Sequence, residues 1–234
     1  MLRPQIVLFG DSITQASFNV GGWGGALANT YGRRADVLIR GYAGFNTTWG
    51  LIMLQQLFPL DDPSPTTLAG ITICFGANDA ALVGRFSETK HVPIDEYKEN
   101  LCKMTQHVKQ YSPSVQIVMI TPPPIDEAKR LEVLRAGGRK IDVSDRTLEE
   151  TGKYAKKVVE LSKELGLPYI DLWSKMQQVE GWQKKFFYDG VHFTPEGSGF
   201  LYKELALAFN QTSISINNMP LEGVTTFLGS SNSP

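Results

Sequence analysis

The sequence predicts a three-layer α/β/α sandwich built on a mostly parallel five-stranded sheet. Two patterns carry that prediction. Short β-rich runs alternate with longer helical patterns, the order that lays helices on both faces of a sheet. The short runs are continuously apolar rather than alternating, which suits strands covered on both sides. The length agrees: 234 residues make one large domain or two small ones, able to bury roughly 70% of the surface the unfolded chain exposes.

The expected strands are residues 5–9, 37–40, 71–75, 115–121 and 168–172. Between them the helical patterns cover 23–31, 47–58, 94–111 and 146–165, and a last helix lies near 197–209. The fourth pattern is the clearest. Leu148, Tyr154, Ala155, Val158, Val159 and Leu161 form an apolar stripe, with lysines and glutamates on the opposite, solvated face. Gly166 supplies a C-cap and Pro168 follows it. Two segments break the rhythm. Residues 125–145 carry Gly137-Gly138 and charges of both signs, and fit no core element. Following a strand end, they read as a lid, a pocket wall or a mobile surface loop with a short helix. Residues 213–234 are rich in Ser and Asn and read as a loose C-terminal extension to a domain of residues 1–212. Leu221, Val224, Phe227 and Leu228 are the side chains there that could pack on the body.

Composition excludes several classes. Hydrophobic content of 42% and a formal net charge of -1 describe an ordinary globular chain, neither disordered nor collagen-like. The near-neutral balance argues against nucleic acid or an anionic membrane as the main partner. No apolar stretch approaches the roughly 18 residues of a membrane span. No secretory signal is visible, so the expected location is cytoplasmic. Cys74 and Cys102 then read as free core thiols.

Chemistry gathers in four places. The first strand ends in Gly10-Asp11-Ser12-Ile13-Thr14, where a Ser beside a tight turn stands exposed as a nucleophile or merely caps a helix. A serine needs a base. His91 lies in a polar loop, most simply solvent exposed, and His107 lies on a helix. His192 lies in Asp189-Gly190-Val191-His192-Phe193-Thr194-Pro195, three residues after Asp189. A carboxylate bonded to one ring nitrogen leaves the other free to take the serine proton. The same loop also reads as a helix start, with Thr194 as cap and Pro195 at the first position. The third place is Phe75-Gly76-Ala77-Asn78-Asp79, where Gly76 permits a sharp turn and the Asn78 amide can donate. The fourth is Gly41-Tyr42-Ala43-Gly44-Phe45-Asn46, where Gly44 can offer a backbone N–H. Such donors, with the Ser12 N–H, would make an oxyanion hole.

The four blocks together resemble the GDSL, or SGNH, hydrolases, in that family's own order along the chain. The resemblance runs from Gly10 to His192. It implies a flavodoxin-like fold, Ser12 as nucleophile, Ser12, Gly44 and Asn78 as oxyanion donors, His192 as base and Asp189 as its orienting acid. The stretches 40–49, 75–80 and 189–193 look like the isoamyl acetate-hydrolysing esterase group. Asp11, Gly76 and Asp79 are then supporting residues that hold the strand-end loops. Asp11, Asp79 and the exposed pair Asp61-Asp62 do not read as a metal site, because metal catalysis usually needs a tighter His/carboxylate cluster. Trp23 and Trp49 read as core or helix-entry residues rather than ligand stackers.

The expected function is therefore a serine esterase for short-chain acyl esters such as acetates, working through an acyl-enzyme without a cofactor. Its expected partner is a small-molecule ester; the oligomeric state is left open. The rivals are a carbohydrate deacetylase, a lysophospholipase-type acyl hydrolase, and a non-catalytic binding module on the same fold.

Overall fold

The computed structural model describes residues 3–61 and 67–222. Five strands, β1 (Gln5–Gly10), β2 (Asp36–Gly41), β3 (Leu68–Cys74), β4 (Gln116–Ile120) and β5 (Tyr169–Ile170), form one sheet in the order β2-β1-β3-β4-β5. Every neighbouring pair is parallel. This is the flavodoxin-like order, with its topological switch point between β1 and β3. All five expected strands are present, their ends shifted by at most three residues.

Alternate residues along each strand enter two separate cores, as the two-residue pleat requires. Ile6 and Leu8 of β1 and Val118 and Ile120 of β4 face α2 (Trp23–Thr30) and α9 (Pro195–Asn210), against Trp23, Leu27, Leu201, Leu205 and Phe209. Val7 and Phe9 of β1 and Ile117 and Met119 of β4 face the other way. They pack on α3 (Thr47–Leu57), α4 (Ile94–Tyr111) and α6 (Leu148–Glu164), through Leu54, Leu101, Met104, Tyr154 and Val158. The continuous apolar runs thus reflect two-sided burial.

The helix starts are set by short polar caps. Asn46 accepts from the Trp49 N–H, Thr147 from Glu150 and Thr194 from Gly197. The sixth helix therefore begins after Thr147, and Arg146 lies just outside it. Pro195 sits in the first turn of α9, where its missing N–H costs no hydrogen bond.

Three helices are additions to the sequence reading, α1 (Ser12–Gln15), α7 (Leu172–Gln177) and α8 (Trp182–Phe186), while the short helix expected within residues 125–145 is α5 (Glu127–Ala136). α5 occupies the segment expected to contain no core element. That expectation is corrected at both ends of the segment: Ile125 is buried beside Ile13, Ala77 and Val191, and Asp145 is fully buried. Within the expected extension, Ile214 and Met219 are buried in the first core, and the Tyr31 hydroxyl donates to the Ile214 carbonyl. Leu221 is exposed, whereas Val224, Phe227 and Leu228, like Asp62, lie outside the described residues. Trp23 is buried and its indole N–H donates to the Ile13 carbonyl; Trp49, in the first turn of α3, is partly exposed.

One close approach sets the geometry of the upper sheet edge. A Cβ on Gly41 would stand 2.0 Å from the Gln15 backbone nitrogen, so only glycine lets α1 lie against the end of β2. Overpacking of this kind costs about 1–3 kcal/mol. Gly41→Ala should lower the unfolding free energy by that order, read as a lower urea midpoint, and weaken the site that α1 carries; an unchanged midpoint would mean that α1 has room to move.

Candidate active site

Three of the four motif blocks leave the sheet at the C-terminal ends of β1, β2 and β3, and the fourth returns to that edge between α8 and α9. Ser12 is the first residue of α1, just beyond β1. The Asp11 side chain caps that turn by accepting from the Ile13 N–H at 2.9 Å. His192, 180 residues away in sequence, brings its Nε2 to 2.8 Å from the Ser12 Oγ. On its other side, His192 Nδ1 lies 2.6 Å from Asp189 Oδ2. Asp189 Oδ1 accepts from the backbone N–H groups of Val191 and His192, which fixes the carboxylate against its own loop.

Electrostatics assign the protons along this line. Burial raises the Asp189 pKa, but the hydrogen bond and charge of His192 and the two backbone donors outweigh it and bring it to about 2. An ionised carboxylate can only accept, so Nδ1 carries the ring proton and Nε2 is left as the acceptor for the Ser12 hydroxyl. Tyr188 stacks on the imidazole at 5.9 Å between centroids, a contact the sequence reading did not foresee.

Ser12, Gly44, Asn78 and His192 line one cleft of about 230 Å³. Gly44 sits at φ +82°, a left-handed conformation that favours glycine. Its loop is tied to α1 because the Ala43 N–H donates to Gln15 Oε1 at 2.8 Å. The Ser12 and Gly44 N–H groups have no acceptor among the described residues. The Asn78 side chain is held at both ends: Nδ2 donates to the Phe45 carbonyl at 2.8 Å, and Oδ1 accepts from Arg146 Nη2 at 2.8 Å. One Nδ2 hydrogen therefore remains for the cleft.

Arg146 is the residue the sequence reading missed. It is buried, and besides Asn78 it donates to the Ala77 carbonyl at 2.5 Å and to Asp145 at 2.6 Å. Asp145 also accepts from both ends of the Arg130 guanidinium and from Ser87. The only sequence sign was an Asp-Arg pair just before the Thr147 cap, in a segment already rich in charge. Of the other histidines, His91 is half-buried rather than solvent exposed, its Nδ1 2.8 Å from the Ala81 carbonyl. His107 Nε2 lies 2.7 Å from the Phe58 carbonyl, far from Ser12 in the fold. Cys74 is buried and Cys102 half-buried, both free.

The family model of the GDSL-like lipase/acylhydrolase family matches residues 8–199. The chain belongs to that family. It is a carboxylic ester hydrolase. A GDSL esterase/lipase of Arabidopsis thaliana is 51% identical over 223 residues, covering 94% of this chain and 91% of that protein. The isoamyl acetate-hydrolyzing esterase 1 homolog of Mus musculus is 38% identical over 206 residues, covering 88% and 81%. Among solved structures, a lipase/acylhydrolase from Enterococcus faecalis superposes with a TM-score of 0.66 at 22% identity, over 94% of this chain and 100% of that one. The acetyl xylan esterase AlAXEase superposes at 0.65 with 18% identity, over 87% and 98%. These two similarities speak to the fold. Among the described residues, no helix is long and apolar enough to cross a membrane.

Beneath the hydrolase's cleft lie the carboxylates expected to support it. Asp79 Oδ1 accepts from both the N–H and the hydroxyl of Thr47, at 2.8 and 2.5 Å, joining the β3 loop to the start of α3. Gly76 opens the turn that delivers it, its carbonyl accepting from the Ala80 N–H. Asp79 Oδ2 is buried with no partner among the described residues. Burial raises the Asp79 pKa to about 7, against the pull of the Thr47 hydrogen bonds. Burial likewise raises Asp11 to about 6, despite its bond from Ile13 and the charges of His192, Arg146 and Lys90.

The sign of the resulting pH dependence follows from linkage. Both folded pKa values exceed the unfolded carboxylate's, so the folded state holds these protons more tightly. Their contribution to stability is full below about pH 4 and is lost as pH rises through about 6 and then about 7. Asp79→Asn keeps an oxygen for Thr47 and removes the charge. Its melting temperature should exceed the wild type's most at about pH 8, and the gain should shrink towards about pH 4. A pH-independent difference would contradict the buried charge.

Proposed function

We propose that the chain is a serine esterase for short-chain acyl esters, with Ser12 as nucleophile, His192 as general base and Asp189 as its orienting carboxylate. The observation that supports it is the hydrogen-bonded line Asp189–His192–Ser12 opening on a small cleft that also holds Gly44 and Asn78.

In this reading the Ser12 Oγ attacks the ester carbonyl while its proton passes to His192 Nε2. The new oxyanion faces the N–H groups of Ser12 and Gly44 and the free Asn78 hydrogen. Arg146 holds the Asn78 amide by its oxygen, so the nitrogen end faces the cleft. His192 then gives the proton to the departing alcohol, and water repeats the sequence in reverse on the acyl-enzyme. Asp11 shapes the turn that presents Ser12, and Asp79, with Gly76, anchors the loop that presents Asn78.

Size supports a small substrate. A second recess of about 260 Å³ lies on the far side of His192, between Ile13, Val20, Tyr188 and Pro195. Each recess alone is smaller than the roughly 300–1,000 Å³ that encloses a drug-sized ligand, so either one holds only a short group. Together they suit a short acyl group and a compact alcohol flanking the imidazole. The murine relative, named an isoamyl acetate-hydrolyzing esterase homolog, is consistent with that size.

A series of p-nitrophenyl esters from acetyl to palmitoyl tests the chain-length claim: kcat/KM should be greatest at the short end, and a maximum at long chains would overturn it. On the best ester, Ser12→Ala should lose roughly 10³-fold or more in kcat with the fold intact. Asn78→Ala should lose roughly 10²–10³ in kcat with a smaller change in KM. A change confined to KM would move Asn78 to ground-state binding.

A further inference from the structure

The cleft beside Ser12 is more positive than hydrolysis of a neutral ester requires. Lys90, Arg130 and Arg146 all line it, and none of its lining residues is acidic. Behind this wall stands Asp145, one carboxylate shared by the guanidinium groups of Arg130 and Arg146. That sharing balances one of the two charges and leaves the other. Asp11, raised by burial to about 6, is still largely ionised at neutral pH, but its carboxylate accepts from the Ile13 N–H beneath the cleft and makes no ion pair with these cations.

Lys90 adds a third cation. It ends the turn at Glu88–Lys90, half-buried, with its carbonyl accepting from the Asn46 side-chain amide, which fixes its backbone next to the start of α3. Its Nζ has no ion pair and no hydrogen bond among the described residues. A Cβ on Gly44 would lie 3.4 Å from that nitrogen, so the ammonium stands at the oxyanion side of the cleft. Burial lowers the Lys90 pKa, and repulsion from Arg146 and Arg130 lowers it further. An ammonium partly removed from water and facing two guanidinium groups is unfavourable by itself. The transient oxyanion does not account for it, since three N–H donors already face that position.

Building on the esterase reading above, we infer that the natural substrate is a small ester carrying a carboxylate or phosphate group next to the scissile carbonyl, with that anion seated against the unpaired Lys90 ammonium on the wall that Arg130 and Arg146 complete. The reaction remains a hydrolysis. The acyl C–O bond breaks, water supplies hydroxide to the acyl carbon and a proton to the alcohol, and the anionic group is bound but unchanged. Cations of this kind act on selectivity, because a neutral analogue leaves them unpaired.

The anion can belong to the acyl group or to the alcohol, and matched ester pairs separate the two. For the acyl side, p-nitrophenyl hemisuccinate is compared with p-nitrophenyl butyrate. For the alcohol side, O-acetylglycolate is compared with 2-methoxyethyl acetate. In at least one pair, wild-type kcat/KM should favour the anionic member by roughly tenfold or more, the effect of one well-placed charge pair. Lys90→Gln should collapse that ratio, and Lys90→Arg should retain most of it. Equal or faster turnover of the neutral member in both pairs overturns the inference while leaving the esterase intact, provided Ser12→Ala abolishes it. A ratio that survives in Lys90→Gln overturns the role of Lys90. No turnover of any of the four esters would remove the esterase reading and this inference together.

Discussion

All five strands of this hydrolase point the same way, and the site depends on that constraint. Parallel strands deliver their loops to one edge, so the chain passes that edge after β1, after β2 and after β3. Ser12, Gly44 and Asn78 are the residues it leaves there. The register makes the delivery level: Gly10 pairs with Gly41 on one side and with Cys74 on the other, so three strands end together. Glycine at two of those three ends allows backbone to lie on backbone where side chains would collide. The fourth block has no strand of its own. It is held instead by α9, which buries Leu201, Leu205 and Phe209 against α2 and the sheet, and whose capped start lies directly after His192.

Within that frame, environment divides one kind of side chain into two roles. Asp189 and Asp145 are rich in donors, and their carboxyl groups are held below the ordinary range. Asp11 and Asp79 are buried more completely than Asp189 and have fewer donors, and burial pushes them up. The low pair carries fixed negative charge, one orienting an imidazole and the other clamping two guanidinium groups. The high pair costs stability at neutral pH, and Asp79 is fixed to Thr47 where the β3 loop meets α3. A buried cost of this kind, retained beneath the Ser12 cleft, agrees with loops held in place for chemistry rather than for stability.

Much of this was legible in the sequence because it rests on local rules. Two-sided burial writes itself as unbroken apolar runs, and so all five strands were visible. The stripe on α6 and the Thr194–Pro195 start of α9 follow from helix periodicity and capping. What escaped depends on distance or on brevity. α1 is a four-residue turn, too short for a period to register. α5 reads only as a short helix in a surface loop, because it is charged on most faces and buries Leu134 with little stripe to announce it. Arg146 is important through contacts with Ala77 and Asn78, nearly 70 residues away, and no spacing rule reports them. The motif residues stood out by type, but their convergence is a property of the parallel sheet.

The central claim is that one hydroxyl, that of Ser12, is activated by the His192–Asp189 pair. The most direct measurement is labelling of the folded protein with a fluorophosphonate, followed by mass spectrometry of the digested adduct. The account predicts one phosphonyl group per chain, carried by the peptide containing Ser12, and almost none after unfolding or in His192→Ala. Labelling of a different residue, or of Ser12 at an equal rate in the unfolded chain, would contradict it.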